Sequence, residues 1–318
     1  MRRGPVIPPR RPEGIRWLRS DGTPNFGDRI YKREGDAKII ARRPVYTITK
    51  TATILGAAEE MTRRWVRALP VVVPNQEKLE GMVTATDLVN YLGGGELYNI
   101  VKNRHKGNIY SALLKEHVES IMNPNPVYVT IYDKLPKILE TMVLKNVGIV
   151  PVIMEDGTIW GIITEHDLVR ELAEKKVGRK VSEVMTSPVI TISSKATIKE
   201  AMETMIKYGV RRLPVVAEEG NVIGIITAKD IVRFFGSHDV FRFVETSNIE
   251  DALNAPIKIV GFSGVVTISP DADVGDAATL MAQKNTGSLL VVENNELKGI
   301  ITERDVLYAL AISGEEKT

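Results

Sequence analysis

Four short elements of this chain pair a hydroxyl with a carboxylate at one spacing: Thr84/Asp87, Thr164/Asp167, Thr227/Asp230 and Thr302/Asp305. Each ends a Gly-apolar-apolar-Thr run that begins at Gly81, Gly161, Gly224 or Gly299. The spacing is that of a helix capping box: the Thr side chain accepts the backbone N–H three residues on, and the carboxylate reaches back. That accounts for the spacing but not for Asp in every copy, because Glu or Gln would serve a cap as well. The same residues suit a second chemistry. Free N–H groups at a helix N-terminus attract a phosphate. The Thr hydroxyl adds a hydrogen bond to it, and a carboxylate accepts both hydroxyls of a ribose. Capping is expected at all four elements, and ligand contact at one or two.

The elements that position these residues repeat with them. Upstream of each lies a short apolar run: Leu69–Val73, Val150–Ile153, Leu213–Val216 and Leu289–Val292. Further upstream are apolar residues at i, i+3, i+4, i+7, the mark of one helical face. They are Ile54/Ala57/Ala58/Met61, Leu135/Ile138/Leu139/Met142, Ile198/Ala201/Met202/Met205 and Val274/Ala277/Ala278/Met281. A short strand precedes them at Thr47-Ile48, Tyr128-Val129, Thr191-Ile192 and Thr267-Ile268. Each unit reads strand–helix–strand–strand–helix, with the two middle strands close enough to form a hairpin. A unit this small buries too little surface to stand alone. Consecutive units are therefore expected to pair into two modules, 45–176 (repeats about 38–95 and 118–175) and 177–318 (repeats about 181–238 and 249–311), behind an arm at 1–44. Gly93-Gly-Gly95 after the first unit reads as a helix stop and hinge.

These residues resemble the cystathionine β-synthase (CBS) repeat, two of which make a Bateman module. The resemblance covers roughly residues 38–311. It implies an α/β fold of α+β type, a cleft for AMP, ADP or ATP between paired repeats, and regulation with no required cofactor. It also implies that Thr and Asp hold phosphate and ribose, and that basic residues just before the Pro-Val strand hold phosphate. Arg211 and Arg212 rank repeat 3 first, and Arg67 ranks repeat 1 second; repeats 2 and 4 carry Gly148-Ile149 and Gly287-Ser288 there. Lys229 and Arg304, inside their capping motifs, are further phosphate candidates or else solvated surface charges. Repeat 4 departs most, with Leu290 for Pro and a lengthened 255–266 ahead of it. A homodimer through the CBS modules is a further expectation.

Catalysis is not expected. With no cysteine, disulfides, thiolate chemistry and Cys-ligated metals are excluded. There is no phosphate-binding Gly-Lys-Ser/Thr loop and no Gly-x-Gly-x-x-Gly. His105, His117, His166 and His238 are scattered, and no metal site is assigned; His166 is expected to be exposed. No apolar run approaches a membrane span, and Met1-Arg2-Arg3 leads into prolines and not a secretory signal. A cytoplasmic protein is expected. Two glutamines and 26% charged residues point to a thermophile.

Charge is divided unevenly. Residues 1–44 hold 12 basic residues, ten of them Arg, and 5 acidic ones, a net of +7; the remainder holds 30 basic and 35 acidic, a net of −5. Six prolines and five glycines leave the arm no helical or strand period. Arg grips phosphate with a planar fork, and Trp17, Phe26 and Tyr31 lie among the arginines. Such aromatics stack on unpaired bases. The arm is expected to bind ribosomal RNA through Arg2, Arg3, Arg10, Arg11, Arg16, Trp17 and Arg19, with Lys102, Arg104 and Lys106 as a second patch. No DNA or membrane partner is expected. Such an arm resembles the extensions of ribosome-associated proteins, and the whole architecture resembles archaeal CBS-repeat dormancy factors. The alternative is a free-standing adenylate sensor of an enzyme or transporter, with an incidental tail.

Overall fold

The structure is a computed structural model that describes residues 36–170, 173 and 177–312. Arg2, Arg3, Arg10, Arg11, Arg16, Trp17 and Arg19 lie outside the described residues, as do Phe26 and Tyr31.

All four repeats fold as their patterning dictates. The lead helices are Ile54–Arg64, Leu135–Leu144, Ile198–Tyr208 and Val274–Lys284, and their periodic apolar faces are buried. Antiparallel hairpins follow at Ala68–Val72/Leu79–Thr84, Ile149–Ile153/Ile159–Thr164, Arg212–Val216/Val222–Thr227 and Ser288–Glu293/Glu296–Thr302. Closing helices start at Ala85, Glu165, Ala228 and Glu303. Short parallel strands Val129–Thr130, Ile192–Ser193 and Thr267–Ile268 edge three hairpins, and a single bridge from Ile48 to Val71 edges the first.

The recurrent glycine has a packing cause. Outside each second hairpin strand a further segment crosses, bridging Asn123 to Met82, Arg42 to Ile162, Ser263 to Ile225 and Thr186 to Ile300. A Cβ on Gly161 would stand 2.6 Å from Ala41 Cβ, and one on Gly224 2.6 Å from a Phe262 ring carbon. Only glycine lets these segments approach. The lengthened 255–266 ahead of repeat 4 is such a cover, lying on repeat 3.

The chain forms two compact units, each with its own core, and they are not the consecutive pairs. Residues 46–126 and 190–265 make unit 1, which holds repeats 1 and 3. Residues 36–45, 127–170, 173, 177–189 and 266–312 make the described part of unit 2, which holds repeats 2 and 4. In unit 1, Ile54–Arg64 packs on Ala228–Gly236, and Ile198–Tyr208 packs on the π-helical Asn90–Gly94. Gly236 sits against Ala58 O and Thr62, and a Cβ on Gly94 would lie 2.8 Å from Met202 O. Gly93–Gly95 is thus a close helix contact, not the expected hinge. A lead helix needs an apolar partner, and adjacency in sequence does not say which repeat supplies it. Consecutive repeats remain linked in another way: 36–42 covers repeat 2 and 109–126 covers repeat 1, while 177–186 covers repeat 4 and 249–263 covers repeat 3.

The arm is shorter than its composition suggests. Residues Asp36–Ile40 form a helix in unit 2, with Asp36 and Ala37 buried. Asp36 accepts the Leu135 N–H at 3.0 Å, so it caps the lead helix of repeat 2. Arg42 pairs with Asp167, and Lys38 and Arg43 lie 5.3 and 4.2 Å from the Trp160 ring centre. That leaves residues 1–35 with nine basic and four acidic side chains. Among the described residues, no helix is long and apolar enough to cross a membrane.

Candidate functional site

Each Thr-x-x-Asp element forms the same local device. Thr227 donates its backbone N–H to Asp230 Oδ2 at 2.9 Å and its hydroxyl to the same oxygen at 2.6 Å, while Asp230 N–H donates to Thr227 Oγ1 at 3.3 Å. The carboxylate oxygen takes the same pair of bonds in repeats 1, 2 and 4, at 2.6–3.0 Å. The hydroxyl hydrogens of Thr84, Thr164, Thr227 and Thr302 are therefore spent on their own Asp. A phosphate here would meet backbone N–H groups and basic side chains; the expected hydroxyl bond is already used. What remains for a ligand is Asp Oδ1, and the four copies differ in what surrounds it.

The hairpin register explains why arginines distant in sequence reach this point. Arg212 is paired with Thr227 across the strands, and Arg211 O accepts the Ala228 N–H at 2.9 Å. In repeat 1, Arg67 O accepts from Ala85 N–H at 2.9 Å in the same way. Arg67, Arg211 and Arg212 are all half-buried. The closing helices of unit 1 begin with Ala85 and Ala228, which add no charge. Asp230 keeps only a loose pair with Arg233, at 3.7 Å. Lys229 holds its ammonium 4.7 Å from the Trp65 ring centre. Burial lowers the Lys229 pKa, Asp230 opposes this, and Arg67 and Arg233 lower it further.

Unit 2 places acids where unit 1 has alanine. Glu165 and Glu303 begin the closing helices and are 2% and 3% exposed. Arg304 donates to Glu165 at 2.7 Å and also bonds Asn146; His166 meets Glu303 at 2.7 Å. His166 is therefore half-buried and paired, against the expectation of exposure. Asp167 is engaged by Arg42. Asp305 is buried, which raises its carboxyl to about 6; Thr302 and Arg304 pull it down, and Glu165 pushes it up. Arg304 is thus committed to internal acids, and four carboxylates confront any phosphate brought to this unit.

The second basic patch is partly neutralised by its surroundings. Lys102 lies 4.8 Å from the Tyr98 ring centre, Arg104 pairs with Glu116 at 3.4 Å, and exposed Lys106 takes a left-handed turn at φ 50°. His105 bridges Ser111 at 2.8 Å and Glu116 at 2.9 Å.

Trp65 was not apparent from the motifs. All four lead helices end in a left-handed residue eleven positions after the helix start: Trp65 (φ 54°), Asn146 (53°), Gly209 (65°) and Asn285 (49°). Gly and Asn are the residues that tolerate this conformation; for others it costs ~1–2 kcal/mol. Aligning the four helix ends by residue type would have singled out the tryptophan.

The CBS domain family matches the chain at residues 36–94, 118–174, 181–237 and 262–312. Protein MJ1225 of Methanocaldococcus jannaschii is 33% identical over 86% of this chain and 98% of its own length. The crystal structure of that protein, proposed as an archaeal homologue of g-AMPK, superposes with a TM-score of 0.78 at 32% identity, covering 85% of this chain and 97% of that one. A 33.4 kDa protein in the ribosomal RNA operon of Thermofilum pendens is 33% identical over 84% of this chain and 88% of its own. With this geometry repeated four times and matched over most of its length, the chain belongs to the CBS-domain family.

Proposed function

We propose that this protein is a non-catalytic regulator that binds an adenine nucleotide on unit 1 and ribosomal RNA through residues 1–35. One observation carries the nucleotide half: the capping motifs of unit 1 are framed by Arg67, Arg211, Arg212 and Lys229, whereas those of unit 2 are framed by buried Glu165 and Glu303. In repeat 3, Asp230 Oδ1 takes the ribose hydroxyls, and Arg211 and Arg212 take phosphate. Thr84, Asp87 and Arg67 offer the corresponding set in repeat 1. Thr164/Asp167 and Thr302/Asp305 serve as caps. The RNA half is supported by the nine basic residues of 1–35 and by the Thermofilum pendens relative in a ribosomal RNA operon. Binding there would suit a factor that inhibits or protects ribosomes in dormancy.

Calorimetry with AMP, ADP and ATP tests the first half. Asp230→Ala is expected to abolish binding in a folded protein, because Thr227 still caps the helix, while Asp167→Ala leaves affinity unchanged. The opposite pattern, or no binding by the parent, refutes it. Cosedimentation with ribosomes tests the second half, comparing the full chain with residues 36–318. Neutralising ~6 phosphates on a single strand gives a log–log salt slope near ~−4, which the truncation should flatten. Equal affinity and slope would leave the second reading, an adenylate sensor acting through protein contacts, which the likeness to a proposed g-AMPK homologue favours.

A further inference from the structure

Trp65 is 64% exposed, and it occupies a left-handed position that glycine or asparagine fills in the other three repeats. A bulky indole there gains little from burial and strains its own backbone, so folding gives no reason for it. Its surroundings do. It lines a shallow cleft of unit 1 with Met61, Thr62, Val66, Lys229, Asp230 and Arg233. One acid nearby, Glu60, is already taken by Arg63 and by Arg64 at 2.9 Å. The other, Asp230, is the candidate ribose acceptor. An aromatic face and a carboxylate suited to a ribose therefore line one cleft, with Lys229 and Arg233 beside them.

We propose that Trp65 is the stacking platform for a nucleobase, with the ribose of the same nucleotide at Asp230. The inference rests on the reading that Asp230 belongs to a nucleotide site, and it adds the residue that receives the base. Stacking on an indole is indifferent to which base it meets, since every base has a π-face. The shared chemistry is a nucleobase with its ribose, whether from a free nucleotide or from an unpaired residue of a single strand.

Trp65 fluorescence provides the test. With Trp17→Phe and Trp160→Phe, Trp65 is the sole tryptophan of the full chain. Titration with AMP, and separately with an eight-residue adenine RNA, should quench it; quenching by one alone identifies the source. Quenching by neither overturns the inference. Trp65→Gly in the parent should weaken the quenching ligand by roughly 5- to 150-fold, with an unchanged or raised melting temperature. A fall in melting temperature would assign Trp65 to packing and overturn the proposal. If Asp230→Ala abolishes AMP binding while Trp65→Gly does not, this inference fails and the nucleotide reading stands. If the parent binds neither ligand by calorimetry, the reading itself fails.

Discussion

Units 1 and 2 are built from the same repeat and differ in charge at the same places. At the first position of the closing helix, unit 1 has Ala85 and Ala228, while unit 2 has Glu165 and Glu303. At the next position Lys229 faces an exposed indole, while Arg304 is bound to Glu165 and Asn146. Carboxylates in the first turn of a helix satisfy the same N–H groups and positive potential that would otherwise draw a phosphate. Unit 2 thus carries its own anions at these helix starts, whereas unit 1 has alanine there. The cap is the same in all four repeats, and what differs is the charge around it.

The largest way to break this contrast is at its equivalent cations. Arg304→Met strands the buried Glu165 and should cost ~3–5 kcal/mol. Lys229→Met, at the matching position of unit 1, forfeits a cation–π contact and an attraction to Asp230, against repulsion from Arg67 and Arg233, and should cost less than about 1 kcal/mol. Urea unfolding of the two variants is the measurement, and equal losses would show that unit 1 relies on its cation as much as unit 2 does.

Truncation gives the next effect. Removing residues 1–35 keeps the Asp36 cap, buried Ala37 and the Arg42–Asp167 pair. Removing 1–44 takes away the Asp36 cap, buried Ala37 and the Arg42–Asp167 pair, and should cost about 2–4 kcal/mol by the sum of lost cap and packing. Hydrogen exchange should place that loss in unit 2 alone, because the covers of unit 1 lie at 109–126 and 249–263. Loss spread equally over both units would contradict the assignment.

The smallest effect concerns pH. Asp305 is raised from an ordinary 3.8 to about 6, so the folded state holds its proton more tightly. Its contribution to stability is complete below pH 3.8 and is lost as pH rises through about 6. Asp305→Asn should therefore stabilise the protein at pH 7.5, by on the order of 2 kcal/mol, and match the parent near pH 4. A difference independent of pH would mean that Asp305 does not titrate in this range.

The cap-forming role of all four Thr-x-x-Asp elements was legible in the chain, because capping is a local matter of three residues and two dihedral angles. So were the lead helices and hairpins, whose apolar periods reach only across their own length. The arm was legible as charge but not in extent. Asp36 and Arg42 look like arm residues until Leu135 and Asp167 are brought beside them, about a hundred positions away in the chain. Glu165 and Glu303 read as ordinary helix-start acids, and only the folded chain shows them buried and paired with Arg304 and His166.

What the amino-acid sequence by itself determined is the repeat: its strands, helices, caps and the glycine that admits a crossing segment, all set by short-range sterics and by the period of apolar residues. Only the tertiary structure decided that repeat 1 shares its core with repeat 3 and repeat 2 with repeat 4. It also decided which capping carboxylates are paired internally and that an indole stands over Lys229. The physical reason is that every lead helix carries the same kind of apolar face. The choice among like faces rests on close packing, such as Gly236 against Ala58, and on crossed charges, such as Arg304 with Glu165. Neither exists until distant segments meet.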